Sequence, residues 1–325
     1  MKRFLIFFFA LLLLSSAAVG GFAAYGWHLF TTQGPLIEDV VLVLEKGSGL
    51  RAISKKLQNA GVIHNDIAFI FGVRAKSQEK KLKAGEYQFS QGSTSEDVLA
   101  VLVSGKSIAH YLTIPEGLQS REVADLIRKN SVLSGALSIT LAEGSVLPET
   151  YQFSRGDKRD IVARRMQNSM NTSLDKLWAN RKPDILVKTK QELLILASIV
   201  EKETGLASER AHVAGVFINR LKKKMRLQSD PTVVYGVTNG LKDLGRSISK
   251  KDLAAINKYN TYTIRGLPVG PICNPGLESL KAVLEPMQTK DIYFVASGKG
   301  GHVFASTLAE HNRNVRNWRK LKKKK

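Results

Sequence analysis

A chain of 325 residues, 43% hydrophobic and 24% charged, is long enough for one large or two to three small domains, and this composition excludes wholesale disorder. Its formal net charge of +21 favours polyanionic partners such as nucleic acid, anionic lipid heads or an acidic polymer. The single cysteine, Cys273, excludes an internal disulfide and reads as a small packing residue; no Cys/His cluster has zinc spacing, so neither a metal nor a cofactor is expected.

Lys2 and Arg3 precede an uncharged stretch that runs from Phe4 to Pro35. About 20 residues cross a bilayer, so Phe4–Leu29 is long enough, and Tyr25 and Trp27 stand where an interfacial aromatic belt would lie. Residues 1–30 therefore read as a transmembrane anchor. A cleaved signal peptide, cut near Ala18–Gly20, is the alternative. Either reading places the rest of the chain outside the cytoplasm, with the positive flank inside.

Beyond the anchor a pattern recurs three times. Gly47 is followed by Ile53 and Leu57, Gly92 by Val98 and Leu102, and Gly117 by Val123 and Ile127. A turn glycine ahead of a short helix with apolar residues four apart explains the spacing. The strand-like runs Val40–Leu44 and Tyr111–Ile114 precede the first and third of these helices. Strand, turn and small helix resemble LysM-like sugar-binding modules; a plain α+β scaffold fits the pattern equally. Residues 31–110 are assigned to this LysM-like domain and 111–184 to a second α+β or connecting region.

Gly144–Asp157 is a break rich in Gly, Pro and aromatics, and helical patterning resumes over Asp160–Leu177. Ala179–Asp184 reads as a polar linker, which puts a domain boundary there and leaves 185–325 as a catalytic domain. Helices are expected over Gln191–Thr204 and Ala207–Leu221, then from an Asp230 N-cap with Pro231, from a Ser249/Asp252 capping box, and from an Asn274 N-cap ahead of Leu277–Leu284. Ile292–Ala296 and His302–Ala305 flank a Gly-rich loop and predict a β-hairpin. The tail from Arg313 to Lys325 holds eight basic residues and no acidic one, and reads as a solvated helix end. The fold class is α+β: an N-terminal transmembrane helix, a LysM-like small α+β region, and a mostly helical catalytic domain with a β-hairpin.

The most informative segment is Leu193–Thr204. On a helix advancing about 100° per residue, Leu193, Leu196, Ala197, Ile199 and Val200 fall within roughly 160° of one another, and Glu203 lies in the same sector. Glu201 lies about 200° round from Glu203 and faces away. A carboxyl on a buried stripe is costly unless neutral or paired, and desolvation raises its pKa, as a general acid for glycosidic cleavage requires. Periodicity alone favours the plainer alternative, a structural Glu that ends a helix and bonds Arg210 or a backbone amide.

Six segments shift the balance to the catalytic reading: ILASIVEKETGLASER at Ile195–Arg210, VAGVFINRL at Val213–Leu221, MRLQSDPTVVY at Met225–Tyr235, YNTYTIRGL at Tyr259–Leu267, PICNPG at Pro271–Gly276 and YFVASGKGGH at Tyr293–His302. In this order they resemble the MltG/YceG-like endolytic murein transglycosylases, and the likeness runs through nearly the whole chain. The resemblance implies that Glu203, the second Glu of E-K-E-T, is the catalytic acid, followed by the hydroxyl residue Thr204. It implies peptidoglycan glycan strands as substrate, cut between MurNAc and GlcNAc to leave 1,6-anhydroMurNAc ends, which would terminate strand elongation. It also implies a single-pass protein of the bacterial inner membrane and peptidoglycan synthases as partners. A non-enzymatic glycan-binding scaffold and a water-using muramidase are the alternatives; nucleic acid is not expected, because no standard binding motif is present. For substrate contacts, Gln228, Asp230, Thr232, Tyr235, Asn260, Thr261, Tyr262 and Asn274 have suitable chemistry, and for each a structural role stands beside the functional one. His302 and His311, with no partner evident in sequence, read as surface or capping residues.

Overall fold

A computed structural model describes residues 2–241 and 244–322. The chain divides into two compact units: Met1–His110 with Phe153–Gly156, and Tyr111–Gln152 with Asp157–Lys325. Ala179–Asp184, expected to mark a boundary, lies inside the second unit.

In the first unit the uncharged N-terminal stretch forms one long helix, α1 (Lys2–Thr31), long and apolar enough to cross a membrane. It is followed by β1 (Val40–Leu44), α2 (Leu50–Asn59), α3 (Asp66–Ala75), β2 (Gly85–Phe89) and α4 (Ser95–Ser104). β1 and β2 pair antiparallel, with Leu42 opposite Tyr87. Phe30, at the end of α1, is buried in one core with Leu57, Phe69, Tyr87, Phe89 and Leu102.

The three turn glycines have positive φ, 90° at Gly47, 68° at Gly92 and 77° at Gly117, a backbone region open to Gly at little steric cost. All six apolar residues of the pattern are buried. The pattern therefore marks three strand–turn–helix units: β1 with α2, β2 with α4, and β3 (His110–Thr113) with α5 (Ser120–Lys129). Two elements escape the sequence reading. β2 carries Glu86, a charged residue buried in the strand because His110 and Arg155 pair with it at 2.5 and 2.9 Å. α3 is apolar on nearly every side, so it shows little helical periodicity.

The second unit continues with β4 (Thr150–Phe153), which pairs with β3, and then α6 (Arg159–Ala179), α7 (Lys190–Glu203) and α8 (Ala207–Lys222). α9 (Asp230–Thr238), α10 (Lys250–Ala254) and α11 (Leu277–Leu284) follow, then β5 (Tyr293–Ala296), β6 (His302–Ala305) and α12 (Leu308–Lys322). The hairpin β5–β6 pairs antiparallel, as the Gly-rich loop predicts. α7 is the centre of this unit. Every residue from Leu193 to Glu201 is buried, and α6, α8, α9 and α11 pack around it. The expectation of one apolar face is therefore too narrow, because a helix enclosed by four others has little solvent side. The basic tail as far as Lys322 is the exposed part of α12; Lys323, Lys324 and Lys325 lie outside the described residues.

Two caps differ from expectation. Ser229, not Asp230, precedes α9, and Gly276, not Asn274, precedes α11. α9 thus opens one residue earlier than an Asp230 cap implies, and α11 opens two residues later than an Asn274 cap implies, because Asn274 is engaged elsewhere.

Candidate active site

α7 starts at Thr189, whose hydroxyl accepts the Glu192 N–H at 3.1 Å, and it stops after Glu203 because Thr204 turns to extended backbone with φ −142°. Glu203 is thus the last helical residue, at the negative end of the helix dipole, where an anion is disfavoured. Part of the residue is open to solvent, yet protein surrounds the carboxyl on most sides. Burial is the main reason that its pKa is pushed up to about 7, and the charge of Asp230 adds to it; the Ser229 hydroxyl, His302 and Arg220 oppose the shift.

The groups around Glu203 come from four directions. Arg220 of α8 is buried; its Nε donates to the Ile292 carbonyl and its Nη1 to the Leu227 carbonyl, both at 2.6 Å. This ties the approach to β5 and the loop before α9 onto α8, and fixes a guanidinium whose charge reaches Glu203. Ser229 follows that loop. Its N–H donates to the Thr261 hydroxyl at 2.9 Å, while its own buried hydroxyl has no partner of full hydrogen-bond geometry and stands where it favours the Glu203 anion.

His302 opens β6. Its N–H donates to Glu209 Oε1 at 2.7 Å, and its Nδ1 lies 2.8 Å from Glu209 Oε2, which also accepts from the Thr204 hydroxyl at 3.3 Å. Burial lifts the Glu209 pKa, but the hydrogen bonds from His302 outweigh it and the net shift is downward. Glu209 is therefore anionic, and assigns the proton to Nδ1 of His302. The reading of His302 as a partnerless surface residue is corrected, because its partner Glu209 is 93 residues away in the chain. His311 stacks on Tyr293, with ring centroids 5.0 Å apart.

Of the eight residues assigned to substrate contact, three are accessible. Gln228 and Asp230 are exposed and flank Ser229. Tyr262 is half-buried and donates its hydroxyl to Asp230 Oδ1 at 2.6 Å; burial, then Asp230, raises its pKa.

The other five are buried and occupied. Thr232 and Thr261 share a hydroxyl–hydroxyl bond of 2.8 Å, which seats the loop on α9. Asn260 Nδ2 donates to three carbonyls that end α10, the shortest being Ala255 at 2.7 Å, and its Oδ1 accepts the Tyr262 N–H at 2.9 Å. Tyr235 packs on Tyr259, with centroids 4.7 Å apart, and reaches Glu143 at 3.2 Å. Asn274 is fully buried; it accepts the Val146 N–H at 2.9 Å and donates to the Leu118 carbonyl at 2.9 Å, clamping two loops together. With their polar atoms taken up inside the protein, these five hold together the loops around the site.

Glu201, expected to face away, is buried on the other side of α7. It accepts the Gly276 N–H at 2.9 Å and lies 3.6 Å from Arg210, which binds Glu116 at 2.8 Å. Arg210 thus serves Glu201 and Glu116. What distinguishes Glu203 is its charge environment and not cavity size: recesses of about 650 Å³ beside Val237 and Leu241, and about 630 Å³ beside Tyr151, are lined by other residues.

The YceG-like family profile matches residues 42–317, which span α7 to β6 and hence Glu203 with all its neighbours. The chain belongs to the YceG-like family. An endolytic murein transglycosylase of Bacillus subtilis (strain 168) is 31% identical over 91% of this chain and 89% of its own length. One of Streptococcus pneumoniae (strain D39) is 28% identical over 97% of this chain; the match spans 65% of that longer relative. A crystal structure of a yceG-like protein from Listeria monocytogenes aligns at 29% identity over 85% of this chain and 99% of that one, with a TM-score of 0.49. Sequence reasoning about this YceG-like chain missed Ser229, Arg220 and Glu209. Each stands inside a segment that carries the family likeness, so the signal was present, but their convergence on Glu203 depends on contacts made in space.

Proposed function

We propose that the chain is an endolytic murein transglycosylase with Glu203 as its single acid/base. The observation that carries the reading is a partly open carboxyl, at the end of the buried α7, that burial lifts to about 7, in a family with relatives named for this activity. In its protonated form, which a pKa of about 7 keeps populated at neutral pH, Glu203 gives its proton to the GlcNAc O4 as the bond from MurNAc C1 to that oxygen breaks. The resulting carboxylate takes the proton of the MurNAc C6 hydroxyl while O6 bonds to C1. A 1,6-anhydro end forms, and Glu203 is left protonated for the next cycle, with no water consumed. Between the two transfers, Arg220 and Ser229 stabilise the anion, as preorganised charge and dipole do at developing charge.

Gln228, Asp230 and Tyr262 are the residues we assign to sugar contact. A water-using muramidase would need a second carboxylate beside the acid. Asp230 is the nearest candidate, and its Oδ1 already accepts the Tyr262 hydroxyl. Mass analysis of the ends released from purified peptidoglycan separates the readings: anhydro ends support transglycosylation, and reducing ends would replace it with hydrolysis.

For the rest of the chain, α1 is assigned as a single-pass anchor in the cytoplasmic membrane, with the other residues on its outer side, as the Lys2/Arg3 flank supports. The strand–helix–helix–strand order β1, α2, α3, β2 supports a LysM-like, glycan-contacting role within residues 31–110. In this reading residues 111–184 connect it to the catalytic 185–325, and peptidoglycan synthases are partners because they supply the nascent strand.

A further inference from the structure

We propose that α3 lies in the membrane interface beside α1, and that lipid acyl chains fill the cleft between the two helices. This rests on the reading of α1 as the membrane span.

The last turns of α1 are part of the folded first unit and not a free tether. Phe30 is fully buried, its ring 6.3 Å from that of Phe69 in α3. It lies flat on Gly72, where an added Cβ would stand only 2.3 to 2.5 Å from the ring. One turn earlier, Gly26 faces Phe71 with room for contact at 3.7 Å. The depth of α3 is therefore fixed by the depth of α1.

Around that contact lies a cleft of about 200 Å³, lined mostly by Phe22, Tyr25, Gly26 and Leu29 from α1 and by Ile67, Ala68 and Phe71 from α3. If Tyr25 and Trp27 stand at the headgroup level, Phe22 is about 4.5 Å deeper, at 1.5 Å per residue, in hydrocarbon. Phe71 stands at the level of Gly26, between Tyr25 and Trp27, and Ile67, one turn earlier in α3, lines the same cleft as Phe22. Against water they are out of place: Ile67 is 61% exposed and Phe71 39%, while Phe69 and Val73 on the other side of α3 are fully buried. The charges of α3, Asp66 and Arg74, are confined to its two ends. Lipid suits the space better than a protein partner, because the cleft continues the protein-free surface of α1 and is too small for a helix about 10 Å across.

The test uses the full chain in bilayer nanodiscs, with a fluorophore on a cysteine introduced at Ile67, at Val19 in α1, or at Ala52 on the exposed side of α2; native Cys273 is buried. Quenching is read from lipids brominated on the acyl chain and from iodide in the water. The proposal expects the Ile67 label to lose fluorescence to bromolipid, as the deeper Val19 label does, and to resist iodide, with Ala52 showing the reverse. Val19 quenched by bromolipid and Ile67 by iodide alone would overturn the proposal and leave the anchor standing. Ile67 shielded from both quenchers, with Val19 quenched by bromolipid, would also overturn it, since a second copy of the chain would then cover the cleft. Iodide quenching at both sites would remove the anchor reading, and this proposal with it.

Discussion

At the residue scale, Glu203, the proposed acid/base, is set apart by a carboxyl that keeps its proton to a higher pH than an ordinary one. Its pKa of about 7, against an ordinary 4.5, means that the native state holds the proton where the unfolded state has lost it. The contribution of Glu203 to stability is therefore most favourable below about pH 4.5 and is lost as pH rises through about 7. Glu203→Gln keeps the shape and removes both roles. Release of anhydro-ended fragments should fall by about 10²–10⁴, the usual contribution of a general acid. The same variant should melt higher than wild type at pH 8 and gain little at pH 5, as a pH series of calorimetric scans would show; no pH-dependent gain would mean that the carboxyl is not desolvated. The rate should decline on the alkaline side with a midpoint near 7. Ser229→Ala removes a hydroxyl that favours the anion, so that midpoint should move upward; a downward move in the pH–rate profile would place Ser229 elsewhere in the mechanism.

At the element scale, α7 holds two glutamates two residues apart with opposite duties. Glu203 at its tip is partly open to solvent, while Glu201 is sealed against Gly276 and Arg210. Glu201→Ala leaves the buried Gly276 N–H without its acceptor and removes one of the two carboxylates paired with Arg210. It should cost about 2 kcal/mol, the scale of a lost hydrogen bond to a charged group. The folded fraction should keep a turnover near wild type, so denaturant melts and specific activity together check this outcome. Loss of turnover without loss of stability would exchange the roles of the two glutamates. At the other end of α7, Thr189→Ala should cost about 1 kcal/mol through the lost N-cap, read as a lower urea midpoint at unchanged slope.

At the scale of the whole molecule, α1 has two parts with separate tasks. Residues 3–21 are exposed, whereas Phe30 is fully inside the first core. Deletion of residues 2–24 should release the chain into the soluble fraction with its first unit folded. Extending the deletion through Thr31 removes Phe30 as well, and should cost roughly 3–5 kcal/mol, as loss of a buried Phe does. Membrane fractionation followed by limited proteolysis of the two truncations would distinguish release from unfolding. The +21 charge belongs to the same scale: much of it is solvated on elements such as α12, where it favours an anionic partner without selecting one.

How much of this was legible in the sequence depended on how local its cause was. The long apolar N-terminal helix, the three turn glycines with buried residues six and ten later, the Ser249/Asp252 capping box and the β5–β6 hairpin are set by neighbours within a few residues, and the sequence alone determined them. Glu203 was legible by periodicity and by its motif, although its wheel assumed a single buried face. Burial of the sugar-like residues Asn260, Thr261 and Asn274 was not legible, because an amide or hydroxyl serves a backbone carbonyl as well as it serves a sugar. Only tertiary packing decides which it meets. Enclosure of α7 by four helices buried Glu201, and contacts between residues distant in the chain brought Arg220, Ser229 and His302 to Glu203. A carboxyl's pKa is set by every charge and dipole that the fold places near it, and those distances exist only once the chain is folded.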